Sequence, residues 1–450
     1  IDHWPSTIDH LEDAMSPKIT RRDFIKGSAI GVGSFLFLRD SRSAFGFQAN
    51  EKLNIALIGA GGKGNANLEG VSSQNIVALC DVDSRRAAGS FEKYPDAKKF
   101  VDYRRMLDKM HKEIDAVVVS TPDHTHAVAS IRAMEMGKHV YCEKPLTHTI
   151  SEARLMKETA GKYKVATQMG NQGTAGDGLR EAVEVIRAGC IGQVREVHIW
   201  SNRPVWPQGV ARPTEVQEIP KELDWDLWLG PAEARAYNST YLPFVWRGWK
   251  AFGTGAIGDM GCHTMNLTYM ALGLNNPISV EAECFEGTDE SYPKRSIVRY
   301  TFPARGNMPP CKLTWYDGGL KPPSYVLPGR DMPGSGCVMI SDKGILFSPD
   351  DYGWTYQLIP EENFADMKKP EPTLPRSPGH YAEWIEACKG GQPAMSNFDY
   401  ASGLTEMALL GNLAVLVGEP IYWDAERMRA INCSKADYFV NTPYRKGWDI

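Results

Sequence analysis

Residues 53–58 form a short, mostly apolar run that enters Gly59-Ala60-Gly61-Gly62-Lys63-Gly64 and then a segment able to begin a helix. Strand, G-x-G-x-x-G and helix in that order constrain this chain more than any other feature. The glycines turn the backbone, admit a pyrophosphate against it and let helix pack on strand. The helix N-terminus then offers N–H groups to phosphate. A second apolar run, 76–80, ends at Asp81, 22 residues after Gly59. A carboxylate there can accept both ribose hydroxyls of adenosine, which favours NAD. Arg85 and Arg86 follow and could instead receive a 2′-phosphate, so NADP stays open. A helix-capping Asp81 is the competing reading.

Two more βα units follow. Residues 114–120 are nearly all apolar, as a parallel strand buried on both faces requires. They open at Thr121-Pro122-Asp123-His124-Thr125-His126, ahead of a helix over 127–136. Residues 139–142 form a short strand running into Glu143-Lys144-Pro145. Both loops sit at carboxyl ends of strands, where open α/β sheets bind ligands. A helix over 151–162 and a run over 164–168 lead to Met169-Gly170-Asn171-Gln172-Gly173. Alternating runs at 194–202, 280–286, 297–302, 312–316 and 336–341 predict an antiparallel sheet, one face under helices and the other free for a partner. A helix over 401–417 is expected to pack back on the first domain.

At 450 residues the chain exceeds one ordinary core. The expected organisation is an N-terminal extension (1–50), an α/β Rossmann dinucleotide-binding domain (51–170), and an α+β domain with a large open, mostly antiparallel sheet (171–450). A net charge of -5 gives no broad attraction for nucleic acid or anionic lipid. Nine cysteines without a CxxC pair or a Cys/His cluster suit free thiols and no metal site.

Residues 16–26, S-P-K-I-T-R-R-D-F-I-K, precede a mildly apolar stretch over 27–38. That stretch is much shorter than the about 20 residues needed to cross a bilayer. With small residues at 43–50 as an exit, the pattern resembles the twin-arginine export motif, and Met15 is its expected start. The resemblance implies a periplasmic protein, folded before export and holding its cofactor tightly.

The loop motifs also carry a resemblance. A glycine-rich loop, T-P-x-x-x-H over 121–126, E-K-P over 143–145 and D-x-x-x-H over 259–263 occur in that order. The chain thereby resembles the glucose–fructose oxidoreductase/inositol dehydrogenase (Gfo/Idh/MocA) family over about residues 52–450, including the closing Y-R-K-G-W at 444–448. The resemblance implies cofactor contacts at Gly59, Gly61, Gly62, Lys63, Gly64, Asp81, Thr121, Pro122, His124, Glu143 and Lys144, with Asn171 beside the nicotinamide. It assigns Lys144, Asp259 and His263 to catalysis. The chemistry is sensible: a carbinol loses hydride only as its hydroxyl proton departs, so a base must reach that proton. Histidine suits the role. Asp259, four residues before His263, shares its helix face, and Lys144 can stabilise a developing alkoxide. Taken singly, each could instead be a packed histidine, a helix cap or a solvated lysine.

Residues 203–255 are long, proline-rich and aromatic, the mark of a functional loop. Trp206, Tyr241, Arg247 and Trp249 are its candidate sugar contacts, with Arg203 and Gln208 as further hydroxyl partners; Trp225 and Trp228 read as loop core. The leading expectation is an NAD(P)-dependent oxidoreductase for a secondary hydroxyl of a sugar, polyol or glycoside, homo-oligomeric through its open sheet face. Two rivals are an NAD-dependent glycoside hydrolase using transient oxidation and a non-catalytic sugar-binding protein. The similar hydrolases carry G-N-x-Y-P-T-H where this chain has Gly258-Asp259-Met260-Gly261-Cys262-His263, a departure that favours oxidoreduction.

Overall fold

A computed structural model describes residues 51–450. The expected export signal falls in residues 1–50 and lies outside the described residues.

The first layer alternates strand and helix: β1 (Asn54–Ile58), α1 (Lys63–Gly70), β2 (Asn75–Cys80), α2 (Ser84–Lys93), β3 (Lys98–Phe100), α3 (Tyr103–Met110), β4 (Ala116–Val119), α4 (His126–Glu135), β5 (His139–Cys142), α5 (Ile150–Tyr163) and β6 (Thr167–Met169). The six strands pair in parallel in the order β3-β2-β1-β4-β5-β6. β4 is Ala-Val-Val-Val, buried throughout, because helices cover both faces of a parallel sheet. Strand order reverses between β1 and β4, so a crevice opens at their carboxyl ends. α5 begins with a capping box: Thr149 accepts the Glu152 N–H and Glu152 returns the bond to the Thr149 N–H.

The second half comprises α6 (Asp177–Arg187), β7 (Val194–Trp200), α7 (Trp225–Leu229), α8 (Gly255–Thr264), α9 (Asn266–Leu272), β8 (Ser279–Phe285), β9 (Arg295–Phe302), β10 (Cys311–Tyr316), β11 (Gly336–Ser341), β12 (Ile345–Ser348), β13 (Gln357–Ile359), α10 (His380–Cys388), α11 (Phe398–Val417), β14 (Ile421–Asp424), β15 (Arg429–Ala430) and α12 (Ala436–Val440). Its nine strands run β13-β12-β11-β7-β10-β9-β8-β14-β15, antiparallel at every pairing except β7 with β10.

α11 is long and apolar enough to cross a membrane by composition, with mean hydropathy 1.3, yet 72% of that window is buried. It is the central core helix. Thr405 accepts the Leu146 N–H, and Glu406 forms an ion pair of 2.6 Å with Arg154 of α5.

The outer sheet face departs from the open surface that alternation predicts. Trp200, Val338 and Phe347 form a second core there with Val326 and Leu327 from the long β10–β11 connection. Leaving two large aromatic rings in water would forgo several kcal/mol of burial, roughly 1.5–3 per side chain. Toward β8 and β9 the outer face stays polar, with Glu281, Glu283 and Arg299 exposed. All nine cysteines are free thiols.

Candidate active site

One cleft of about 580 Å³ runs along the strand ends of the parallel sheet and onto α8. Gly59, Gly61, Gly62, Lys63, Asp81, Thr121, Pro122, Glu143 and Lys144 line it from the first half. Asp259, Met260 and His263 of α8, with Arg203, Trp206, Arg247 and Tyr352, line it from the second.

The glycine loop is built for close approach. Gly59 has φ +84°, and a Cβ there would lie 2.8 Å from the Ser120 backbone. At Gly64 a Cβ would lie 1.8 Å from the Gly59 carbonyl oxygen, so no other residue fits beneath the turn. No side chain caps the N-terminus of α1, which leaves its dipole and N–H groups for an anion. Asp81 accepts the Gly61 and Asp83 N–H groups, each at 2.9 Å. Burial pushes its carboxyl up by more than those bonds pull it down. Arg85 is taken by Asp83 at 2.8 Å; Arg86 lines the cleft. These residues fit a dinucleotide: glycine cradle, helix N-terminus and the Asp81 carboxylate share one wall.

Two further loops complete the wall. Glu143 accepts Asn67 Nδ2 at 3.0 Å and lies 3.6 Å from Lys63 Nζ. His126 ties the loops together, with Nδ1 and Nε2 each 2.8 Å from the carbonyl oxygens of Pro145 and Thr121. A neutral imidazole has one N–H, so only the imidazolium satisfies both. Burial alone would lower its pKa, but Cys142, Asp123 and the Pro145 carbonyl outweigh that and raise it to about 10.

At the centre Lys144 Nζ donates to Asp259 Oδ1 at 2.8 Å and to the Asp259 carbonyl at 2.7 Å. Arg247 Nε donates to the same Oδ1 at 2.9 Å. Burial would raise the Asp259 carboxyl, yet the two cations hold it well below the usual range. His263 sits one turn along α8, buried. Burial first, and the Lys144 charge second, push its pKa far down, so the ring is neutral at ordinary pH. Its Nδ1 is buried without a hydrogen-bond partner, and Tyr352 packs edge-on against it at 4.8 Å.

Comparison with known proteins decides the family. The profile described as "Oxidoreductase family, NAD-binding Rossmann fold" matches residues 53–171, and the family's "C-terminal alpha/beta domain" matches residues 195–306. The chain belongs to the Gfo/Idh/MocA oxidoreductase family. It is 30% identical over 152 residues to inositol 2-dehydrogenase of Salmonella paratyphi B, covering 32% of this chain and 45% of that protein. It is 24% identical over 235 residues to levoglucosan dehydrogenase of Pseudarthrobacter phenanthrenivorans, covering 50% and 52%. The chain thus matches about half the length of these relatives. Among solved structures, the WlbA dehydrogenase of Bordetella pertussis in complex with NADH and UDP-GlcNAcA superposes with TM-score 0.60 at 15% identity, covering 83% of this chain and 99% of that one.

Within this Gfo/Idh/MocA fold several expected site residues lie elsewhere. His124 is buried with both ring nitrogens 3.1 Å from the Phe252 and Trp228 carbonyls, its pKa pushed down to about 3 by burial; it joins the T-P-x-x-x-H loop to the aromatic segment and does not line the cleft. Asn171 is spent on Cys262 and Ser396. Tyr241 and Trp249 belong to a core with Trp225, Trp228 and Phe252, and Trp249 Nε1 donates to the Thr240 carbonyl at 2.9 Å. Gln208 is buried between Trp206 Nε1 and the Pro293 carbonyl. Trp206 and Arg247 do reach the cleft. Sequence reasoning missed Phe244, Trp246, Tyr352 and Trp448, all on the cleft wall. For Phe244 and Trp246 the aromatic density of 203–255 was a usable signal; the Tyr352 loop had none.

Proposed function

We propose that this chain is a dehydrogenase acting on a secondary hydroxyl of a sugar, polyol or glycoside, with NAD as its tightly held partner. One observation carries the reading: the glycine-rich loop, Lys144 and His263 line a single cleft. Bound nicotinamide would supply the hydride acceptor or donor. The remaining work falls to the chain's own side chains. Lys144 has three N–H donors and spends two on Asp259, which leaves one for a substrate oxygen. An ammonium fixed in that way stabilises negative charge as it develops on that oxygen. His263, kept neutral, takes the hydroxyl proton on a ring nitrogen. Asp259 holds the ammonium in place, and Arg247 holds Asp259. The relatives named for inositol and levoglucosan support the substrate class.

The segment carrying α7 bears on cofactor retention. The Asp224 N–H donates to the Val82 carbonyl at 2.9 Å, and the Ser84 N–H donates to the Glu222 carbonyl at 3.1 Å. This strap, with Trp228 and Trp448, closes the wall beside Asp81. The test is a panel of sugars, polyols and glycosides added to purified protein, with any copurified nucleotide identified by mass spectrometry. NADH accumulation is expected. Glycoside cleavage without NADH would favour the hydrolytic rival, and absence of nucleotide binding would leave a sugar-binding protein.

We also infer export through the twin-arginine route and self-association through the polar outer face of β8 and β9. Arg21→Lys with Arg22→Lys should retain a fused reporter in the cytoplasm. Light scattering on purified protein should give more than one chain per particle.

A further inference from the structure

The cleft does not end at Lys144 and His263. Beyond Arg247 its wall turns apolar, formed by Val205, Trp206, Leu242, Pro243, Phe244 and Trp246. Val205 is 62% exposed and Phe244 49% exposed. Phe244 stands edge-on to Trp206 at 5.8 Å, and the Arg247 guanidinium lies 4.3 Å from the Trp246 ring and 4.7 Å from that of Phe244.

Phe244 is held at φ +66°, a conformation glycine adopts freely and bulky residues avoid. A phenylalanine there carries backbone strain, and folding regains little from a ring that is half in water. Such strain concentrates at ligand clamps. Arg247 ties the ring to the reacting centre, since the same guanidinium donates to Asp259. The polar centre suits a hydroxyl-bearing ring. The ledge beside it offers flat apolar faces.

Resting on the sugar-binding reading above, we propose that the Phe244 ledge is a second subsite for the flat apolar face of another ring, joined to the oxidised sugar through its glycosidic oxygen. The substrate is then a glycoside, not a free monosaccharide or polyol. An aromatic aglycone and a second pyranose both present such a face.

The test uses NAD-loaded protein and calorimetry with matched methyl glycosides, phenyl glycosides and disaccharides in gluco, galacto, manno and xylo configurations. In at least one configuration a ring-bearing glycoside should bind about tenfold or more tightly than its methyl counterpart. The phenyl and disaccharide arms show which ring is used. Phe244→Gly removes the ring and relieves the backbone, so its melting temperature should not fall while the ring-to-methyl ratio collapses toward one. Val205→Ser, on the same ledge, should lower the ratio in a fold that keeps Phe244. Equal affinities in the native protein, an undiminished ratio in both variants, or no binding of any glycoside would overturn the subsite. Turnover separates this from the wider reading: a clear ring preference without NADH production removes the dehydrogenase and leaves the subsite standing.

Discussion

Arg247 Nε donates to Asp259 Oδ1 from 2.9 Å, the oxygen that also takes Lys144 Nζ from 2.8 Å. One buried carboxylate therefore bridges two cations. Asp259→Asn keeps the shape and leaves both cations without a counter-charge. Breaking a buried pair of this kind costs about 3–5 kcal/mol, and losing the fixed ammonium should lower kcat by about 10²–10³-fold. Urea unfolding and single-turnover kinetics on the variant read the two effects. Native kcat would show that the pairing is architectural only.

As the proposed base, His263 sets the expected pH behaviour. Its pKa lies far below 6.5, so it stays a competent proton acceptor through the mildly acidic range, and kcat should show no fall from its titration as pH drops through 6.5. His263→Ala should retain nucleotide and lose about 10²–10⁴-fold in turnover. In Lys144→Met the ring keeps its burial and loses one cation, so an acid limb should move up toward 6.5. A limb centred on 6.5 in the native protein would mean that an exposed group is the base.

Buried histidines also fix the pH dependence of stability. His124, His139 and His380 have pKa values pushed down to about 3, 4 and 3, chiefly by burial. A group depressed on folding stabilises above its unfolded value and loses that contribution as pH falls toward its folded value. His126, raised to about 10, has the opposite sign: its contribution is complete below 6.5 and is lost as pH rises toward 10. The urea midpoint should therefore fall between pH 6.5 and 4, and His126→Gln should flatten the decline on the alkaline side. A flat acid limb would contradict neutral burial.

Much of the Rossmann half was legible because β1, β2, β4 and β5 are apolar runs that end in loops with their own motifs, whereas α2, β3 and α3 were not read. β5 occupies 139–142 as the apolar run predicts, and β1, β2 and β4 fall within two residues of their runs. Strands of two or three residues, β3 and β15, carry too few residues for periodicity and exist through pairing with their neighbours. Lys144, Asp259 and His263 were readable from ordered motifs. Tyr352 was not, because its place depends on three N–H groups folding round the Asp350 carboxylate and on Gly173 admitting the Tyr352 backbone. Trp249 and Tyr241 misled for the opposite reason: in a small aromatic core, composition looks the same as in a sugar platform.

That correction is testable. Trp249→Phe shortens a ring packed against Tyr241 at 4.9 Å and removes the bond to the Thr240 carbonyl. It should cost about 1–3 kcal/mol of stability with KM for the sugar held within about twofold, the scatter of surface variants. A large KM rise at native melting temperature would return Trp249 to the substrate.

Cofactor choice turns on Asp81 and Arg86, which line the same stretch of cleft. The Asp81 carboxylate is already bonded to Gly61 and Asp83 N–H groups, so it is fixed where an adenosine ribose would lie in this fold. A ribose 2′-phosphate would bring two negative charges against it, and a single arginine offsets only part of that. NAD should therefore bind at least about tenfold more tightly than NADP. Asp81→Ala removes the repulsion and also loosens the Gly61 turn. NAD affinity should drop by about tenfold, while NADP loses less and the two converge. Fluorescence titration of nucleotide-stripped protein with each cofactor reads both numbers. Native preference for NADP would show that Arg86 governs this end and that Asp81 serves only to brace the loop.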